Sequence, residues 1–148
     1  VKGMVLHIAA VFCMSAAVGI LYRIPRSSLV YASVTGVAAW LVMAGFSFAG
    51  HNLIRASFFA SLTVGILAEF LARLLKKPAT VYIIPGFIPL VPGREAYTTV
   101  LLLLRRQYVE GISMGMQTLL TGGAIAFGIF ISSIVYRLAV NYIMRRSL

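Results

Sequence analysis

The sequence predicts an all-α, polytopic membrane helix bundle with about five transmembrane segments, one of them broken by prolines. Three observations predict it. The 148 residues are 61% hydrophobic and only 11% charged, with a mean hydropathy of +0.98, whereas a soluble domain is normally about 25% charged. The runs Met4 to Tyr22, Ser27 to Gly50 and Ile112 to Tyr136 contain no Lys, Arg, Asp or Glu, and each approaches or exceeds the roughly 20 residues that cross a bilayer. Finally, Pro85, Pro89 and Pro92 fall inside another long apolar run. Each ring lacks an N–H and clashes with the carbonyl four residues back, so the carbonyls of Val81, Pro85 and Ile88 are expected to lose their helical partners.

The first span is read as 4–22. Lys2, the apolar run and Ser15-Ala16-Ala17 also fit a secretory signal, but the rest of the chain is equally apolar, so a retained span is expected. Cys13 follows bulky Phe12, unlike a lipoprotein cysteine, and reads as packing. As the single cysteine it permits neither an internal disulfide nor a Cys-pair metal site. The second span is 27–50. The third, 56–75, holds Glu69 and Arg73 in its last turns, in the favourable i, i+4 order for a helical ion pair. Lys76-Lys77-Pro78 ends it, because the residue before a proline disfavours helix. The fourth span is the broken one, 79–104. The fifth, 112–136, follows a polar connection at 107–110, where Glu110 reads as a solvated charge beside Arg105 and Arg106. Nothing remains for a soluble domain, so 1–148 is read as a single integral-membrane domain. Small residues recur at four-residue spacing in Ser15/Gly19, Ala32/Gly36, Gly111/Gly115 and Thr118/Gly122/Ala126. Such faces permit close helix contact, within the chain or in a homo-oligomer, and the fifth span is the foremost packing surface.

The formal charge of +10 would suggest nucleic acid in a soluble chain. Here the basic residues punctuate the ends of apolar runs, so no nucleic-acid partner is expected and the charges are read as topology signals. If the broken segment crosses fully, one side holds Arg23, Arg26, Arg73, Lys76, Lys77, Arg137, Arg145 and Arg146, against Lys2, Arg55, Arg105 and Arg106 on the other. If it is re-entrant the balance is closer. Five spans with the N-terminus outside and the C-terminus inside are favoured.

The chemistry converges on the break. Backbone that leaves the helix at membrane depth is tolerated where it is buried in protein or lines a cavity, which makes 85–98 a candidate substrate or ion path. Glu69, Glu95 and Glu110 are the only acidic residues. Glu95 follows the Pro-Gly break directly inside an apolar run, where an ionisable group is functional by default. Arg94 is placed to address an anionic substrate, together with the N–H groups of a helix restarting at Gly93. Tyr97 and Thr98 add hydroxyls one turn on. The expected substrate-binding set is Pro85, Pro89, Pro92, Gly93, Arg94, Tyr97 and Thr98, with Glu95 as the proton-coupling residue. The competing view makes Arg94 and Glu95 a water-exposed loop and the prolines a kinked hinge.

No catalytic residue, metal or cofactor is expected. His7 and His51 lack companions at metal-ligand spacing. There is no Gly-x-Ser-x-Gly elbow and no phosphate-binding Walker loop. An intramembrane enzyme is poorly supported by one acid without a base.

The segment Ile84 to Thr98 resembles the threonine/serine exporter family, and within it the small membrane subunit of the YjjB type. Pro89, Pro92, Gly93 and Tyr97 match its Pro-x-x-Pro-Gly-x-x-x-Tyr pattern, whereas Arg94 and Glu95 fall at variable positions. The resemblance implies a multi-pass protein of the bacterial inner membrane that works with a larger YjjP-like membrane subunit. The cargo it implies is threonine, serine or a dicarboxylate such as succinate. A partner also fits the span count, since five spans leave no room for paired inverted repeats. The alternative is a non-transporting membrane scaffold or assembly subunit for that larger partner.

Overall fold

A computed structural model describes residues 2–50 and 52–146, so His51 lies outside the described residues. Among them the chain is helical throughout: α1 (Lys2–Leu21), α2 (Arg26–Phe48), α3 (Leu53–Leu74), α4 (Thr80–Phe87), a 3-10 turn (Ile88–Leu90), α5 (Gly93–Leu104) and α6 (Tyr108–Arg146). Four helices are long and apolar enough to cross a membrane. A fifth crossing is made if Thr80–Leu90 and Gly93–Leu104, which meet at a 48° bend, are counted as one span.

The packing decides how that bent pair runs. On α3 and α6, Ser61 meets Gly128, Gly65 meets Ser132 and Glu69 meets Arg137, so the two helices are parallel. Were the bent segment a hairpin that returned to its own side, α6 would oppose α3. The segment therefore carries the chain across, and Lys77 Nζ donates to Ser27 Oγ at 3.3 Å, which places the α1–α2 and α3–α4 connections at one end with Arg73 and Arg137.

The interior is built from small side chains. Ala32, Ala39, Ala56, Ala60 and Ala68 are fully buried, as are Ser33, Ser57, Ser61 and Ser132, while Leu6, Phe70, Leu104, Leu119 and Phe127 point outward. This inverts a soluble core. Lipid is as apolar as leucine, so burial of large chains gives no drive and close backbone approach supplies the attraction instead. The α3–α6 contact is the most extensive and shows how. A Cβ on Gly128 would stand 2.8 Å from the Phe58 carbonyl oxygen and 3.1 Å from the Leu62 nitrogen. Gly111 and Gly115 pack in the same way on Leu103 and Thr99 of α5. In the Thr118/Gly122/Ala126 series, by contrast, Gly122 and Ala126 are exposed.

Helices α1, α3 and α5 end alike. Arg23, Lys76 and Arg106 adopt φ of 54°, 51° and 61°, and the next residues, Ile24, Lys77 and Gln107, donate back to Gly19, Ala72 and Leu102. These are Schellman endings, with a cation where glycine is usual. The left-handed conformation costs a non-glycine residue roughly 1–2 kcal/mol, partly offset because a cation favours the carbonyl end of a helix.

Two sequence expectations change. Helix α6 is 39 residues long, beyond the expected 112–136, since no Gly or Pro stops it after Tyr136. Glu69 does not pair with Arg73. It is buried against α6, 3.9 Å from Arg137 Nε, and Arg73 lies over the Tyr136 ring at 4.8 Å. The rotation of α3 set by the Gly65 and Gly128 contacts turns Glu69 inward, away from its own helix's surface neighbour.

Candidate functional site at the proline break

Pro85 does not break the chain. It sits buried inside α4, whose helix continues to Phe87, and its carbonyl oxygen would lie 3.3 Å from a Cβ on Gly36. That carbonyl, expected to be freed by Pro89, faces the glycine floor of α2. Ser15 Oγ is wedged against the same glycine, buried and without a hydrogen-bond partner. The break comes at Pro89 to Pro92. There the Ile88 carbonyl, expected to be free, accepts from Val91 N–H at 3.2 Å, and Val91 then turns extended (φ −62°, ψ 128°).

Helix α5 restarts at once. Its first helical bond runs from Ala96 N–H to the Pro92 carbonyl at 3.0 Å, and no side chain caps it. Gly93 N–H is engaged by the Val91 carbonyl at 2.8 Å. The donors left facing outward from this helix end are consequently those of Arg94 and Glu95, rather than Gly93.

Two adjoining cavities flank the break. A small, partly open chamber of about 60 Å³ is lined by Ser57, Pro89, Leu90, Val91, Pro92, Glu95 and Thr121, with Met43 and Leu53. An open vestibule of about 270 Å³ is lined by Arg94, Glu95, Thr98, Met114 and Gln117, again with Leu53. Glu95 and Leu53 form the partition between them. Arg94 faces only the vestibule, and among the described residues it makes no ion pair with Glu95. Thr98 Oγ1 donates to the Arg94 carbonyl at 2.8 Å. Of the predicted site residues, Pro89, Pro92, Arg94, Glu95 and Thr98 therefore line these cavities. Pro85, Gly93 and Tyr97 do not, and Tyr97 is 70% exposed.

The far walls are residues that sequence reasoning missed. Ser57 is fully buried and its hydroxyl has no hydrogen-bond partner in the protein. Thr121 is also buried, and its hydroxyl donates to the Gln117 carbonyl at 2.8 Å. The signal available was the four-residue series Ser57, Ser61, Gly65 and Glu69, which marks one polar face of α3. The break stands level with Ser57, one turn inside the start of α3, so it lies toward the end of the bundle rather than at its centre.

A larger cavity, of about 480 Å³, opens between the start of α1 and the end of α2. It is mainly apolar. His7 stacks on Trp40 there, with ring centroids 5.8 Å apart, and its Nδ1–H donates to the Gly3 carbonyl at 2.7 Å. Among the described residues no group of His, Cys, Asp and Glu is placed to hold a metal ion through three such side chains.

An outward-facing leucine and phenylalanine surface, a small-residue interior and one discontinuous span define a multi-pass helical membrane protein. The family model described as "Threonine/Serine exporter, ThrE" matches residues 7–135. The chain belongs to that family of membrane exporters. No curated protein and no solved structure matches it.

Proposed function

We propose that the chain is a transporter subunit of the bacterial inner membrane that exports a small carboxylate-bearing metabolite, either a threonine- or serine-type amino acid or a dicarboxylate such as succinate, coupled to protons or another ion. The observation that carries this reading is the position of Glu95, which lines both the smaller chamber and the vestibule containing Arg94. Arg94, with the free N–H groups at the α5 start, holds the carboxylate of the cargo. Glu95 exchanges a proton as the cargo passes. The vestibule is smaller than the ~300–1,000 Å³ occupied by drug-sized ligands, which suits a metabolite of a few heavy atoms.

The cargo path is completed by a larger YjjP-like subunit. Helix α5 has no buried residue and its extensive helix contact is with α6, so α6 and Leu53 of α3 wall the vestibule while its remaining side is left uncovered. The same uncovered hairpin supports the second reading, a scaffold that assembles the partner without touching cargo.

Efflux of labelled threonine, serine and succinate from proteoliposomes, with and without the co-expressed partner, tests both. Glu95→Gln is expected to remove the pH dependence of efflux by the pair. Unchanged pH dependence rejects the carrier role, cargo-independent loss of assembly in Arg94→Gln and Glu95→Gln supports the scaffold, and efflux by this chain alone rejects the required partner.

A further inference from the structure

We propose that the smaller chamber is a binding site for a monovalent cation of sodium size, distinct from the vestibule that takes the anionic cargo. Four observations lead there. The chamber is small and partly open, with room for an ion and a few waters, since a single water requires roughly 10–15 Å³ of such space and about 60 Å³ is present. One carboxylate, Glu95, reaches it, and Arg94 does not. Ser57 Oγ lines it while fully buried and unpartnered, which is a standing desolvation penalty unless something in the chamber engages that oxygen. Thr121, on the opposite wall, has its hydroxyl proton committed to Gln117, so its oxygen lone pairs remain available.

The backbone supplies the remaining logic. The chamber is lined by Pro89, Leu90 and Val91 at the carbonyl end of α4 and its 3-10 turn, and also by Pro92 and Glu95 at the start of α5, whereas the vestibule adjoins only the N–H end of α5. The first end is the negative pole of a half-helix and favours a cation; the second is the positive pole and favours an anion. The carbonyl end of α4 thus borders the chamber and not the vestibule. A single carboxylate with neutral oxygens matches one positive charge. Calcium and magnesium call for more carboxylates or for retained water, and Glu95 is the one carboxylate lining this chamber.

The coupling role of this site rests on the transport reading above, but cation binding does not. The test is therefore a binding measurement on the purified full chain in detergent, comparing thermal unfolding in sodium, potassium and choline chloride at equal ionic strength. Sodium is expected to raise Tm by about 5–10 °C at saturation over choline, with a smaller rise in potassium. Ser57→Ala and Glu95→Gln should abolish the sodium increment, while Ser61→Ala, whose hydroxyl bonds the Phe58 carbonyl outside the chamber, should retain it. If Glu95→Gln does not fold, Thr121→Val is read in its place. Equal Tm in all three salts overturns the proposal and leaves water in the chamber, as does a sodium increment that survives Ser57→Ala. Sodium stabilisation without any cargo efflux would reject the transport reading alone, and efflux without sodium stabilisation would reject the cation site alone.

Discussion

The two ends of α3 solve the same problem differently. Near its C-terminal end, buried Glu69 is met by Arg137, and Arg73 is held over Tyr136. Near its start, buried Ser57 is met by no protein group, and Glu95 beside it faces two cavities. Between them, Ser61 and Ser132 each bond a carbonyl of their own helix and fill the notch of a glycine opposite. Polar groups along this interface are thus closed off where they hold helices together and left open where the backbone is broken. An unsatisfied buried hydroxyl next to a carboxylate is expensive as architecture, and the proposed site is placed at that end for this reason.

The largest effect tests the closed region between those ends. Gly128→Leu must displace backbone atoms of α3, not merely a flexible side chain, and overpacking of this kind costs about 1–3 kcal/mol or more. Loss of folded, monodisperse protein by size-exclusion chromatography is expected; a stable variant would show that α3 and α6 do not need this approach. The next effect tests the open end. Arg94→Ala removes a charge-assisted contact worth about 1.5–3 kcal/mol, so the half-saturating cargo concentration should rise roughly 10- to 100-fold while Tm is unchanged. Unaltered cargo affinity would move the anion site away from the vestibule. The smallest effect returns to Glu69. Arg137 is largely exposed and its contact is long, so Arg137→Ala should lower stability by about 1 kcal/mol or less without altering efflux. A selective loss of efflux would mean that the two ends are less different than their bonding suggests.

Much of this was legible in the residues. Uncharged runs located the long helices, and Lys76-Lys77-Pro78 marked the connection before α4, because hydropathy and proline act locally. The interruption was also legible, but not its exact seat: Pro85 is accommodated within α4 because the bundle encloses it and α2 offers Gly36 beneath its carbonyl. Ser57 and Thr121 were not singled out, since a serine in an apolar helix is ordinary until a second helix is turned to face it. The partner of Glu69 was missed for the same reason. Spacing finds neighbours on one helix, whereas Gly65 and Gly128 determine which face of α3 meets α6. The basic residues at Arg23, Lys76 and Arg106 were read as topology signals; their left-handed backbone conformation depends on the closing hydrogen bonds, which composition does not reveal.

The stack of His7 on Trp40 has a spectroscopic consequence. Trp40 is the only tryptophan in the chain, and it shares the α1–α2 cavity with Met43, which also borders the smaller chamber at the break. One native fluorophore therefore sits a single helical turn from a residue common to both spaces. Its emission offers a label-free optical probe of movements of α2 beside that chamber.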